Sequence, residues 1–317
     1  VIKQDNNEKS LALWQGRVDS EESGNSTRWH QVIKPTDGYV SQPGRVLIGF
    51  CSDVGVERNK GRVGASEGPS ALRRQLANLA YHLEAPLYDA GDVVCHGDAL
   101  EEAQEEFAER VAAMLDQGHR VIGLGGGHEI AFASFSGLFK HARRQPRMPR
   151  IGILNLDAHL DLRQAKLASS GTPFRQCAEL CEREGVEFHY TCLGVSKISN
   201  TRALFDRATA LGVEWVLDDA CRSTSSPEVK GALDRLLAQV DMVYLTICLD
   251  TLPSWIAPGV SAPAARGIEV AFIEDVIDYL AERIPLPLVD VAELNPSLDI
   301  ELRTARIAAR FIERLAR

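Results

Sequence analysis

Apolar residues along this chain follow two alternating patterns. Short, nearly unbroken apolar runs at Arg45–Phe50, Arg120–Leu124, Ile151–Leu156, Phe188–Gly194, Val213–Leu217, Met242–Leu249 and Pro287–Ala292 predict strands. Between and after them, apolar residues recur at helical spacing in Gly68–Leu79, Leu100–Gln117, Glu129–His141, Pro173–Glu184, Thr201–Leu211, Ser226–Val240, Ile268–Ile284 and Leu302–Leu315. In the last of these, Ala305, Ala308, Phe311, Ile312 and Leu315 line one helix face. Strands apolar on both faces need cover on both sides, so the alternation predicts an α/β fold with a mostly parallel sheet between helices. No internal repeat or Pro/Gly/Ser-rich linker divides the chain. It reads as one domain over residues 1–317, with residues 1–40, which lack periodicity, as an N-terminal extension packed on it.

Composition narrows the function. The 35 basic and 44 acidic side chains leave a net charge of −9, so there is no basic excess to neutralise nucleic acid or an anionic membrane. Small-molecule chemistry is the expectation. No run approaches the ~18 apolar residues of a membrane-spanning helix, and the polar N-terminus resembles neither a signal nor a transit peptide. Seven cysteines, an odd number spread singly along the chain, suggest reduced thiols in the cytoplasm. Cys177, Cys181 and Cys192 lack the paired spacing of a zinc cluster and read as buried structural thiols.

In a parallel sheet the chemistry collects at the carboxyl ends of the strands, and four predicted strands end in chemically loaded residues. The first runs into three glycines, Gly125–Gly127, then His128. The glycines allow a sharp turn and close backbone approach. Their spacing is that of neither a dinucleotide fingerprint nor a P-loop. After the Ile151–Leu156 run, Asp157, His159 and Asp161 occupy alternate positions. In extended chain such side chains share one side, roughly 6–7 Å apart, which suits ligands reaching around two metal ions roughly 3.5–4 Å apart. Two carboxylates and an imidazole buried together without a cation would be costly. A third strand ends in Cys248 and Asp250, again on one side. The fourth leads to Glu293, a candidate to hold a cationic substrate group.

These signatures, in this order, resemble those of the ureohydrolase family of arginase, agmatinase and formimidoylglutamase: a Gly-rich turn ending in His, D-A-H-x-D, S-x-D-x-D and E-x-N-P. Here they stand as Gly125–His128, Asp157–Asp161, Thr246–Asp250 and Glu293–Pro296. The resemblance runs from about Leu47 to the C-terminus and includes Asp53–Arg73 and Asp89–Asp92. It implies an arginase-like three-layer αβα fold and a binuclear manganese centre, two Mn2+ per subunit, that activates a bridging hydroxide. His128, Asp157, His159, Asp161 and Asp250 carry over as ligands. The runs Leu13–Asp19, Gly55–Arg62, GGGHE and Ser169–Gln176 are most similar to the formimidoylglutamase branch. No H-G-M-P loop follows Asp161, so a proton-shuttling histidine there is not implied.

The implied reaction is hydrolysis of N-formimidoyl-L-glutamate to L-glutamate and formamide in histidine degradation. The metal-bound hydroxide attacks the amidine carbon, with Asp161 as a catalytic residue. Glu293 would pair with the amidinium, and Arg58, Asn59, Arg163 and Arg175, which adjoin the motifs, are candidates for the substrate carboxylates. One position departs from the family: Cys248 stands where an Asp bridges both metals. A thiolate offers one soft sulfur in place of two hard oxygens, so Cys248 is a ligand with a preference for softer ions, or it lies off the metals. Three readings therefore remain open: formimidoylglutamate hydrolysis, a ureohydrolase acting on agmatine or a guanidino acid, and a member impaired by Cys248. A homo-oligomer is a further expectation of the resemblance.

Overall fold

The computed structural model describes residues 10–22, 25–36 and 42–317. Among these described residues nine strands, all parallel, form one sheet: β1 (Lys34–Pro35), β2 (Arg45–Cys51), β3 (Leu87–Val94), β4 (Arg120–Leu124), β5 (Ile151–Leu156), β6 (His189–Val195), β7 (Glu214–Leu217), β8 (Met242–Cys248) and β9 (Leu288–Ala292). Their order across the sheet is β1-β3-β2-β4-β9-β8-β5-β6-β7. Every residue of β5 and β9 is buried, as unbroken apolar runs require when both faces are covered.

Side-chain alternation along each strand feeds two separate cores. Leu154 and Leu156 of β5 join Leu233 of helix Pro227–Gln239, Ile273 of Val270–Ala281 and Phe311 of Arg303–Ala316. Ile151 and Ile153 join Phe107 of Leu100–Asp116, Phe135 of Ile130–Arg143 and Phe174 of Pro173–Glu184 on the other face. The result is the three-layer αβα architecture that the sequence implied. Most helices start and end within two residues of expectation, although Gly68–Leu76 and Val270–Ala281 stop about three residues early.

Two parts of the fold are absent from the hydrophobic pattern. Strand β3 carries Asp89 and Asp92 within an otherwise apolar run. Both are neutralised by Arg73, wholly buried on helix Gly68–Leu76 and bonded to Asp89 through Nε (2.8 Å) and to Asp92 through Nη1 (2.6 Å). The described part of the N-terminal segment packs onto this region: Trp29 is fully buried, and Trp14 donates from Nε1 to Asp89 Oδ2 at 2.7 Å. Residues 1–9, 23, 24 and 37–40 of the expected extension lie outside the described residues. Among the described residues, no helix is long and apolar enough to cross a membrane.

Candidate metal centre

The four loaded strand ends come from β4, β9, β8 and β5, which are neighbours in the sheet. Sheet order alone therefore gathers His128, Glu293, Cys248, Asp250 and the Asp157–Asp161 segment along one short stretch of the carboxyl edge. The glycine turn lets His128 come in. A side chain on Gly126 would run into the Ser52 carbonyl, and one on Gly125 would meet the Val291 carbonyl at 2.7 Å. The turn is thus threaded between the ends of β2 and β9, where only hydrogen fits. Gly126 O then accepts from Glu293 N (2.8 Å), and His128 N donates to Glu293 Oε1 (2.8 Å).

The side chains form two sets of potential ligand atoms, each set lying within 4.8 Å: His128, Asp157 and Cys248, and Asp157, His159 and Asp250. Asp157 belongs to both. Its Oδ2 lies 3.0 Å from His128 Nδ1, while its Oδ1 is 3.5 Å from His159 Nδ1. Asp161 stands beside the first set, with Oδ2 3.0 Å from His128 Nδ1, and Asp250 Oδ2 is 3.1 Å from His159 Nδ1. Asp157 is held in place by donors from Asn155 Nδ2 (3.0 Å) and the His159 backbone (2.7 Å).

Electrostatics show what this arrangement lacks. Burial, then the Asp157 charge, lifts the Asp161 carboxyl to about 6. Burial, then Asp250 and Glu129, lifts Glu293 to about 8. Asp250 is raised as well, first by burial, and the Cys248 thiol is pushed well up by burial with Asp157 and Asp250 nearby. Burial opposes charge on His128 and His159 too, yet the surrounding carboxylates raise both imidazoles well above their usual range. Protons on those imidazoles stand in for cations, and metal binding would release them. Among the described residues, buried His128 Nδ1 and Asp250 Oδ1 find no well-formed hydrogen bond, the condition expected of ligand atoms awaiting an ion. The residues present thus fit a pair of divalent cations.

Backbone strain concentrates here. Asp161 (φ 48°), Glu293 (φ 74°) and Lys60 (φ 63°) all adopt left-handed conformations and all line the same cavity. For side chains other than glycine such conformations cost about 1–3 kcal/mol each and persist where the surroundings enforce them. The cavity holds about 340 Å³, with His128, His159, Asp161, Cys248, Asp250 and Glu293 at its floor.

The expected substrate arginines divide. Asn59 and Arg163 line the cavity. Arg58 does not, which corrects the expectation: as the last residue of the short helix Val54–Arg58 it turns to the Asp98–Glu101 segment, bonding Asp98 (Nε, 2.9 Å) and Glu101 (Nη1, 2.8 Å). Arg175 is likewise corrected, because its guanidinium is bonded to the Arg163 carbonyl (2.8 Å) and paired with Glu179 one helical turn away. It braces the loop and leaves the cavity to Arg163. Sequence reasoning passed over Lys60, which lines the cavity and, like Arg163, has no ion pair among the described residues. It also missed Asn200, whose side chain holds the D-A-H-L-D loop through Leu160 N (3.0 Å) and Ala158 O (2.9 Å). Glu129 was passed over too; it accepts from Ser52 Oγ and Gly55 N, both at 2.9 Å, and so anchors the segment leading to Lys60. No periodicity marks these three: Asn200 and Glu129 act through partners distant in sequence, and Lys60 is brought to the cavity by its left-handed turn.

Comparison with known proteins agrees with this geometry. Residues 44–316 match the arginase family, and the chain belongs to it. It is 54% identical to formimidoylglutamase from Ralstonia nicotianae, over 97% of this chain and 95% of that protein. It is 50% identical to formimidoylglutamase from Aeromonas salmonicida, over 97% and 98%. Among solved structures, the formimidoylglutamase of Bacillus subtilis superposes with a TM-score of 0.79 at 23% identity, covering 98% of this chain and 97% of that one. Trypanosoma cruzi formiminoglutamase with Mn2+ gives 0.76 at 25% identity, covering 97% and 96%.

Proposed function

We propose that this chain is a formimidoylglutamase, hydrolysing the amidine C–N bond of N-formimidoyl-L-glutamate to give L-glutamate and formamide. The observation that carries this reading is the pair of ligand sets sharing Asp157 beneath a cavity that also presents Glu293, Lys60 and Arg163. The substrate has one cationic amidine and two carboxylates; beside the ligand acids the cavity offers Glu293 for the amidine and, next to an Arg62 held by the Ser261 and Val260 carbonyls, Lys60 and Arg163 for the carboxylates. Relatives that are 50–54% identical over nearly the whole chain and bear the name formimidoylglutamase support the same reading. Agmatine, which has no carboxylate, would meet Lys60 and Arg163 with like charge, so agmatine hydrolysis is disfavoured.

His128, Asp157, Asp161 and Cys248 would hold one divalent ion, and Asp157, His159 and Asp250 the other. Manganese is the expected metal, as in the T. cruzi neighbour. Such a pair lowers the pKa of water towards neutrality and stabilises charge developing at the reacting carbon. The remaining work falls to the chain. Glu293, whose Oε1 accepts from His128 N, would ionise against the amidinium and orient its planar N–C–N unit. Asp161, whose Oδ2 lies beside His128 Nδ1 at the cavity, would accept the proton of the attacking water and return it to the departing glutamate nitrogen. Lys60 and Arg163, with Asn59 beside them, would fix the two carboxylates and thereby the amidine's position. The same reading takes residues 1–317 as one domain, because a single sheet gathers strands from Lys34 to Ala292.

The test is product analysis with purified protein dialysed against manganese. Formamide and glutamate from formimidoylglutamate, without urea from agmatine, support the assignment; urea release with no formamide would overturn it.

A further inference from the structure

The two ligand sets are not chemically alike. One joins nitrogen, oxygen and sulfur from His128, Asp157 and Cys248, with Asp161 alongside; the other joins only oxygen and nitrogen from Asp157, His159 and Asp250. Cys248 is 1% exposed and ends strand β8, so its sulfur is fixed by the sheet and shielded from solvent. It belongs to the first set and not to the second. A carboxylate at this place could give one oxygen to each ion. The sulfur lies within ligand reach of His128 and Asp157 together and, although it also neighbours Asp250, not of Asp157, His159 and Asp250 together, so Asp157 is the side chain that the two sets share. Thiolates favour zinc, cobalt(II) and iron over manganese, whereas carboxylate-rich positions accept manganese readily.

We propose that the two cation positions are unequal: Cys248 ligates the ion of the His128 position alone and makes it selective for a thiophilic divalent metal, while the His159 position is a hard site suited to manganese. This rests on the binuclear reading above and adds to it a division of labour between the positions. A second observation points to the same place. Buried His128 Nδ1 faces this position with no well-formed hydrogen bond, so the sulfur is one member of a ligand group and not an isolated thiol.

Cobalt(II) tests this directly, because cobalt–thiolate coordination gives a near-ultraviolet charge-transfer band that oxygen and nitrogen ligands do not. Chelated full-length protein is titrated with cobalt while bound metal is counted by elemental analysis. The expected result is two cobalt ions per chain, with a charge-transfer band that saturates at one. Added manganese should then displace the second cobalt and leave the band intact. Cys248→Ser should lose the band while still binding cobalt at the His159 position, and Cys248→Asp should lose the band and take up manganese at both. Two bound cobalt ions without the band in the unaltered protein would overturn the proposal and leave the binuclear reading standing. Loss of band and of total cobalt in parallel on adding manganese would also overturn it. Failure to bind any cobalt, zinc or manganese would bring down both.

Discussion

Two clusters of buried charge sit on the same sheet, and they are built on opposite principles. Around Arg73 the charges close on themselves. One guanidinium binds both oxygens of Asp89 (2.8 and 2.9 Å) and one of Asp92 (2.6 Å), and Trp14 and Ser10 donate to the same carboxylates. Although burial alone would raise it, the Asp89 carboxyl is held below its ordinary range by Arg73. Around Asp157 the charges stay open. Among the described residues, the cations that act on Asp157, Asp161, Asp250 and Glu293 at close range are the imidazoles of His128 and His159, and three of these carboxyls are pushed upward. Burying charge is costly wherever it occurs. Where the chain supplies the partner, the cluster is structural. Where it supplies acids in excess and leaves ligand atoms unmatched, the missing partner comes from outside.

The contrast can be broken from either side. The largest effect is expected at the shared ligand: Asp157→Asn should remove both ions and lower formamide release on the order of a thousandfold or more. Metal analysis and rate would be read on the same sample, and retention of two ions would contradict the shared role. At the closed cluster, Arg73→Met leaves two buried carboxylates without their cation and should cost about 3–5 kcal/mol, read as a lower urea midpoint. Metal content per folded chain should stay unchanged; an unshifted midpoint would show that Asp89 and Asp92 are satisfied without Arg73.

Glu293→Gln comes next. Loss of a charged hydrogen bond to the amidinium should cost about 1.5–3 kcal/mol, or roughly 10–100-fold in kcat/KM. In metal-free protein at alkaline pH the same change should be neutral or stabilising, because it removes an acid that resists ionisation. A large loss of metal-free stability would instead mark Glu293 as a structural residue.

The smallest effect is in pH dependence, where the clusters differ in sign. Asp89 has a depressed folded pKa, so its contribution is present above the unfolded value of about 3.9 and is lost as pH falls. Asp161 and Glu293 have raised folded values, about 6 and about 8. Their contributions are present below the unfolded values near 4 and are lost as pH rises through the folded ones. Chelated protein should therefore weaken from pH ~5.5 to ~8.5, and the gain in Tm on adding manganese should be greater at the alkaline end. Equal gains at both ends would indicate that cations do not relieve the crowded acids.

How far the sequence could be read follows the same division. The strands carrying the centre were legible because burial on both faces demands unbroken apolar runs, and the candidate ligands stood out because a metal site would require particular residue types just past those runs. Strand β3 escaped because Asp89 and Asp92 interrupt its run, and the neutralising Arg73 lies 16 and 19 residues earlier in the chain. The cationic rim was read in the right segment but not at the right residue. Arg58 and Lys60 are two positions apart, and only the short helix Val54–Arg58 and the left-handed turn at Lys60 decide which one faces the cavity. Asn200 bore no local mark because its function lies in holding a loop some 40 residues away.

The most direct measurement is anomalous scattering from crystals grown with cobalt(II) in excess, the ion expected to fill both positions. Two peaks flanking the Asp157 carboxylate are predicted, one towards His128 and Cys248 and the other towards His159 and Asp250. A single peak, or peaks that do not share Asp157, would contradict the binuclear centre on which the proposed hydrolysis rests.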